Sequence, residues 1–310
     1  MTTKIFIDGE AGTTGLEIRE RVAGRDDLEI LTLGDARKDL SARASVLNAA
    51  DIAILCLPDE AAKEAVSLVT NDATRIIDAS TAHRTAPDWV YGFAELAPGH
   101  AEKIAKARRV SNPGCYPTGA VALLAPLVRA QILPTDFPVT VNAVSGYSGG
   151  GKKMIAEFED VSAPGHTDEA FRLYALSLRH KHVEEMRVHA GLAHRPLFVP
   201  SVARLYRGML VSVPLQLWAL PAGPGLADLQ SCLEAAYAGT SVRVAPRAEA
   251  AALSTLDPEG DNGTDGMTLF VFGTQGDGQA LLVARLDNLG KGASGAAVQS
   301  LDLMTGRARP

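Results

Sequence analysis

The chain has 310 residues, 46% hydrophobic and 21% charged, enough to bury the cores of two ordinary domains. Its formal net charge of -6, without a basic run, argues against nucleic acid as a partner, and no apolar stretch is long enough to span a membrane. Its three cysteines, Cys56, Cys115 and Cys232, have no metal-type spacing and are too few for a disulfide framework; with no long apolar core of a signal peptide near Met1, this points to a reducing cytoplasm.

Residues 4–8 read as a short buried strand. Gly9, Gly12 and Gly15 follow at intervals of three, with Thr13 and Thr14 between them, and residues 16–22 then take helical spacing. Strand, glycine turn and helix together make a phosphate cradle. Residues 28–33 are a second strand. Asp35 after it favours a free ribose hydroxyl, whereas Arg37 and Lys38 favour a 2′-phosphate; two cations against one carboxylate incline the reading to NADP. Residues 50–58 form a buried strand with Cys56 in its apolar core, residues 59–69 a helix and residues 75–78 a strand running into Ser80, His83 and Arg84. This alternation predicts a doubly wound parallel sheet. Gly15, Pro58, Ser80 and Cys115 all follow strand ends, where such sheets bind ligands.

The most chemically pointed stretch is Ser111, Asn112, Pro113, Gly114, Cys115, Tyr116, Pro117 and Thr118, followed by an apolar helical run over 119–129. Pro113 and Gly114 force a turn, and Pro117 suits the first position of a helix. A cysteine over the positive end of a helix dipole has its thiolate stabilised relative to a free pKa of about 8.5. The thiolate is the nucleophile, so Cys115 is the candidate for covalent catalysis.

The character then changes. Residues 137–145 read as a strand entering a glycine-rich loop in which Ser148, Gly149 and Lys152 offer hydroxyl, N–H and cation to an anion. His180 and His182 are candidates for general acid–base work; without a third ligand of suitable spacing they do not predict a metal site. Residues 197–213 read as strand, turn and strand, 226–237 as an amphipathic helix, 242–244 as an edge strand, 257–266 as a polar loop without calcium-ligand order, and 269–272 with 280–286 as antiparallel partners. Asn288, Lys291 and Gly292 lie in a further glycine turn before a last helix over 296–304, a second candidate phosphate or cofactor contact. The expected architecture is an N-terminal doubly wound, Rossmann-like domain (1–115 plus 291–310), to which the last helix returns, and an α+β catalytic and dimerisation domain over 116–290 with a largely antiparallel sheet.

The motif from Ser111 to Thr118 resembles the active-site motif of the N-acetyl-gamma-glutamyl-phosphate reductases, relatives of aspartate-semialdehyde dehydrogenase, and the resemblance covers nearly the whole chain. Where longer members carry Pro-His, this chain has Pro200 and Ser201, as in the short subclass; this moves the acid–base role to His180 or His182. The resemblance implies NADP(H) as cofactor and an acyl-phosphate substrate that is converted to its semialdehyde through a Cys115 thioester. It implies Asn112 as an oxyanion donor, Arg84 and Lys152 on the departing phosphate, Arg207 on phosphate or carboxylate, Ser145 and the following loop at the substrate, and a homo-oligomer, dimer or tetramer. Three rival readings are an aspartate-semialdehyde dehydrogenase, a cysteine acyltransferase or hydrolase, and a non-catalytic dinucleotide sensor.

Overall fold

The computed structural model describes residues 2–34 and 39–307. Asp35, Arg37 and Lys38, on which the choice between NAD and NADP turned, lie outside them. The chain divides into two compact units, residues 1–94 with 99–114 and 293–310, and residues 95–98 with 115–292.

The first unit is built on strands β1 (Thr3–Asp8), β2 (Leu28–Leu31), β3 (Ile52–Leu55), β4 (Arg75–Asp78), β5 (Val90–Tyr91) and β6 (Arg109–Ser111). They form a six-stranded sheet in the order β2-β1-β3-β4-β6-β5, parallel throughout. Its helices are α1 (Thr13–Val22), α2 (Leu40–Ala49), α3 (Asp59–Leu68), α4 (His100–Lys106) and, from the far end of the chain, α10 (Gly295–Thr305). Strand periodicity sorts the core onto two faces. Ile5, Ile7, Ile52, Ile54 and Ile77 pack with Ile18, Ile104 and Leu301, from α1, α4 and α10. Phe6, Ala53, Leu55 and Ile76 pack with Leu47 and Ala65, from α2 and α3. The sheet is doubly wound, as expected, and the last helix belongs to this unit. Arg75 ties α4 and α10 together by donating to the carbonyls of Ala105, Ala107 and Met304 at 2.7–2.9 Å.

The second unit contains α5 (Cys115–Arg129), β7 (Thr140–Gly146), α6 (Gly151–Glu159), β8 (Phe171–Leu173), α7 (His182–Ala190), β9 (Leu197–Ala203), β10 (Met209–Gln216), α8 (Leu226–Tyr237), β11 (Val242–Val244), α9 (Arg247–Ala251), β12 (Met267–Phe272) and β13 (Gln279–Leu286). The sheet order is β11-β12-β13-β10-β7-β9-β8, with β11–β12 and β7–β9 parallel and the other four pairs antiparallel. The glycine-rich segment expected as a loop is instead a short 3₁₀ turn, Tyr147–Gly150, leading into α6. Helix α5 is buried along nearly its whole length. Gly119 lets it approach the sheet, since a Cβ there would stand 2.9 Å from Val211. Pro126, inside the helix, has no N–H to give the carbonyl four residues back; that carbonyl, of Ala122, accepts instead from the Tyr237 hydroxyl at 2.7 Å.

Candidate active site

Cys115 is the first residue of α5 and is half-buried. Pro117 therefore stands third in the helix rather than first. The other two cysteines contrast with it. Burial, followed by the charges of Asp78 and Asp8, pushes the Cys56 thiol up to about 12, and burial raises that of Cys232.

Around Cys115, Tyr116 donates its hydroxyl to the Ser201 carbonyl at 3.0 Å and accepts from Tyr174 at 3.1 Å. Burial pushes both phenols up, and negative charge at Cys115 adds to the effect. The Ser201 hydroxyl donates to Ala143 O at 2.7 Å. His180 lies among aromatic rings, with centroids 5.3 Å from Phe198, 5.6 Å from Tyr174 and 6.2 Å from Tyr116, and its ring is 4.6 Å from that of His182. Its Nδ1 accepts the backbone N–H of His182 at 3.1 Å. A neutral His180 therefore carries its proton on Nε2. His182, buried at the start of α7, precedes Glu184 and the buried Glu185.

The segment after β13, expected as a glycine turn, is one turn of π-helix, Gly290–Ser294, that leads directly into α10. Lys291 is 1% exposed and its ammonium bonds both carboxylate oxygens of Glu95, at 2.7 and 2.8 Å, and Ser241 Oγ at 3.1 Å. Its side chain is thus held in a buried ion pair. Asn288 is similarly committed, donating to Ser148 Oγ at 2.9 Å and accepting from Gly208 N at 2.8 Å. Gly292 serves close packing: a Cβ there would stand 2.9 Å from the Cys115 Cβ. In the anion loop, Ser145 is buried and donates to Gly146 O at 3.1 Å, Gly149 packs near Asn288 and Ser145, and Lys152 is exposed in the first turn of α6. Arg207 sits 3.4 Å from Asp287.

In the first unit, Gly9, Gly12 and Gly15 have separate duties. Gly9 has φ +87° and a Cβ there would lie 2.3 Å from Cys56 O; at Gly15 a Cβ would lie 2.4 Å from Gly9 O. Gly12, with φ -74°, would bring a Cβ no nearer than 3.4 Å to Gly9 O. The fold therefore requires glycine at 9 and 15 but has room for a side chain at 12. Neither a capping side chain nor an acidic residue occupies the first turn of α1. These features fit a dinucleotide's pyrophosphate. Pro58 follows the neighbouring strand as the N-cap of α3. Asn112, buried, donates one N–H of its side-chain amide to Ala293 O at 2.9 Å and so ties the final segment to β6. Arg84 is buried and donates to Ala79 O at 3.1 Å.

Several contributors had no expected role. Tyr116 and Tyr174 brace His180, and Glu95 neutralises Lys291. Asp78, wholly buried, holds His83 Nδ1 at 2.6 Å and Ser80 Oγ at 2.7 Å. The sequence places Ser80, His83 and Arg84 beyond the end of β4, but not the bonds that Asp78 makes to two of them. Among the described residues, no group of three His, Cys, Asp or Glu is arranged to hold a metal ion, and no helix is long and apolar enough to cross a membrane.

Residues 13–106 match the family model for the semialdehyde dehydrogenase NAD-binding domain, and residues 115–288 that for the semialdehyde dehydrogenase dimerisation domain. The N-acetyl-gamma-glutamyl-phosphate reductase of Brucella anthropi is 60% identical, over 99% of this chain and 100% of its own; that of Brucella ovis is 58% identical with the same coverage. Among solved structures, aspartate semialdehyde dehydrogenase II from Vibrio cholerae superposes with a TM-score of 0.71 at 17% identity, covering all of both chains. The Candida albicans enzyme with NADP reaches 0.63 at 13%, covering 98% of each. At these identities the structures speak for the fold alone.

Proposed function

The chain belongs to the N-acetyl-gamma-glutamyl-phosphate reductases, and we propose that Cys115 is the nucleophile through which it carries out that family's reaction. The reaction is the NADPH-dependent reductive dephosphorylation of N-acetyl-L-glutamyl 5-phosphate to the 5-semialdehyde and phosphate, a step of arginine biosynthesis. The observation that carries the role of Cys115 is its position as the first residue of the buried helix α5, where the helix dipole favours the thiolate.

The thiolate attacks the acyl carbon; the new C–S bond forms as the bond to phosphate breaks, leaving a thioester on Cys115. When bound, NADPH supplies the hydride that takes the thioester to the aldehyde level, and the hemithioacetal oxyanion then expels the thiolate. His180 donates a hydrogen bond to the oxyanion from Nε2–H, a role its tautomer suits; Asn112 stays a second candidate donor. The proton required by the departing phosphate comes from His182, buried at the start of α7 beside His180. Arg84 and Arg207, with Lys152, are the cations proposed for phosphate and carboxylate, the guanidinium fork suiting both. Gly9, Gly12, Thr13, Thr14 and Gly15 would hold the pyrophosphate, with Pro58 beside them.

We place the protein in the cytoplasm, on three cysteines too few and too far apart in sequence for a disulfide framework, and as a dimer or tetramer. The second unit carries apolar depressions of about 910 and 460 Å³ that share Phe272 and Leu281 and include the exposed Trp218 and Phe171. An apolar expanse of that kind favours a second copy of the chain as its cover.

The test runs the reaction in reverse. Protein is mixed with NADP, phosphate and N-acetyl-glutamate 5-semialdehyde, and NADPH is followed by absorbance. Phosphate-dependent signal with the acetylated substrate, absent with aspartate semialdehyde and lost in Cys115→Ser, is expected. Signal with aspartate semialdehyde instead would overturn the substrate, and full activity of Cys115→Ser would overturn the nucleophile.

A further inference from the structure

The Lys291 ion pair lies one residue from the backbone that touches the nucleophile, and the turn carrying it is fixed at three successive residues. Gly290 presses on the Thr264 carbonyl, where a Cβ would stand 2.2 Å from its oxygen. The Lys291 side chain enters a pocket closed by Glu95 and Ser241, and Ser241 Oγ donates to Glu95 at 2.6 Å, completing a bonded triangle. Gly292, its N–H held by Asp287 O at 3.0 Å, lies against the Cα and Cβ of Cys115. The three polar residues come from segments far apart in sequence, and the Lys291 and Glu95 side chains are 1% and 4% exposed.

Burying two charges is costly, and well-packed apolar replacements are often as stable or more so. A lysine that neither faces solvent nor stands ready for a ligand is therefore poorly explained by stability alone. Its rigid, directional bonds do fix where the 290–292 turn sits, and that turn is the wall on which the Cys115 side chain rests. We propose that Lys291, held by Glu95 and Ser241, is a positioning residue for Cys115: it sets the distance of the Gly292 backbone from the cysteine and so the direction of its sulfur. The inference rests on Cys115 being the nucleophile.

The test uses the full-length enzyme and the paired variant Glu95→Met with Lys291→Met, which leaves no orphaned charge, beside Lys291→Arg and Cys115→Ser. Melting temperature, kcat, KM for NADPH and acyl phosphate, and the pH dependence of Cys115 alkylation by iodoacetamide are measured. The paired variant is expected to fold and to keep both KM values within about twofold, while kcat falls roughly 10- to 100-fold, the scale of a misplacement of about 1 Å. Its alkylation profile should shift along the pH axis, and Lys291→Arg should recover part of kcat. A folded paired variant with wild-type kcat and an unmoved alkylation profile would overturn the proposal. Should the paired variant fail to fold, Lys291→Arg decides: unchanged kcat and profile would overturn the proposal, a loss of kcat at constant KM would uphold it. Activity surviving in Cys115→Ser would instead show that the nucleophile itself is misassigned.

Discussion

Two alanine substitutions in the first glycine turn separate what the fold needs from what the ligand needs. At Gly9 the backbone is left-handed and a Cβ would lie 2.3 Å from the carbonyl oxygen of Cys56. A side chain in that conformation costs about 1–2 kcal/mol. The contact is also about 1 Å too close, so the end of β3 must move, at about 1–3 kcal/mol more. Gly9→Ala is thus expected to lose about 2–5 kcal/mol, roughly 5–15 °C in melting temperature for a unit of this size. At Gly12, φ is ordinary and the nearest atom is 3.4 Å away, so alanine should change stability by no more than about 0.5 kcal/mol. Its methyl group would nonetheless occupy the space through which a pyrophosphate approaches α1, and the Kd for NADPH should rise at least tenfold, or about 1.4 kcal/mol. Thermal unfolding without cofactor and fluorescence titration with NADPH supply both quantities. A Gly12→Ala protein that melts as early as Gly9→Ala, or that binds NADPH as the parent does, refutes this division of labour.

Three further outcomes are expected. Tyr237→Phe leaves the Ala122 carbonyl without its donor and should cost about 1–3 kcal/mol by urea titration with kcat unchanged; an equal stability would remove the hydroxyl from the account of Pro126. Cys56 keeps its proton up to about 12 in the folded state, whereas the unfolded thiol releases it near 8.5, so stability falls as pH rises through that interval. The loss should be about 1 kcal/mol between pH 8.5 and 9.5 and should vanish in Cys56→Ala; a slope that persists assigns it elsewhere. His180→Gln should lower kcat by roughly 10²–10³-fold without displacing the pH–rate profile, while His182→Gln should flatten one limb of it; the reverse pattern would exchange the two roles.

Several strands and helices were legible in the sequence to the residue. Residues 75–78, 226–237 and 242–244 were bounded as observed, because apolar alternation or helical spacing is flanked there by turn residues. Strands β5 and β6, of two and three residues, show no such pattern; β6 holds Val110 as its one apolar residue. Helix α6 was hidden by the glycines before it, although Met154, Ile155 and Phe158 give it an apolar side; Gly150 serves the packing of Met154, whose Sδ would stand 2.5 Å from a Cβ there. Cys115 and the glycine turn after β1 were legible because their chemistry is local. The ion pair of Lys291 was hidden for the opposite reason. A lysine among glycines looks like an anion loop until Glu95, 196 positions away in sequence, is brought against it, and nothing nearby in the sequence announces so distant a partner.

The discontinuity of the first unit bears on how the protein is made. Leu301, Leu303 and Met304 of α10 share a core with Ile5, Ile7 and Val22, so this core stays open until the last helix has left the ribosome. Apart from residues 95–98, the second unit is one uninterrupted stretch, 115–292, and its sheet is complete at Leu286, so it needs nothing of α10 to close. Co-translational folding should therefore run against chain order: the segment made first completes last, and its apolar surface is exposed for the whole of translation. That is the interval in which a chaperone would find its binding site.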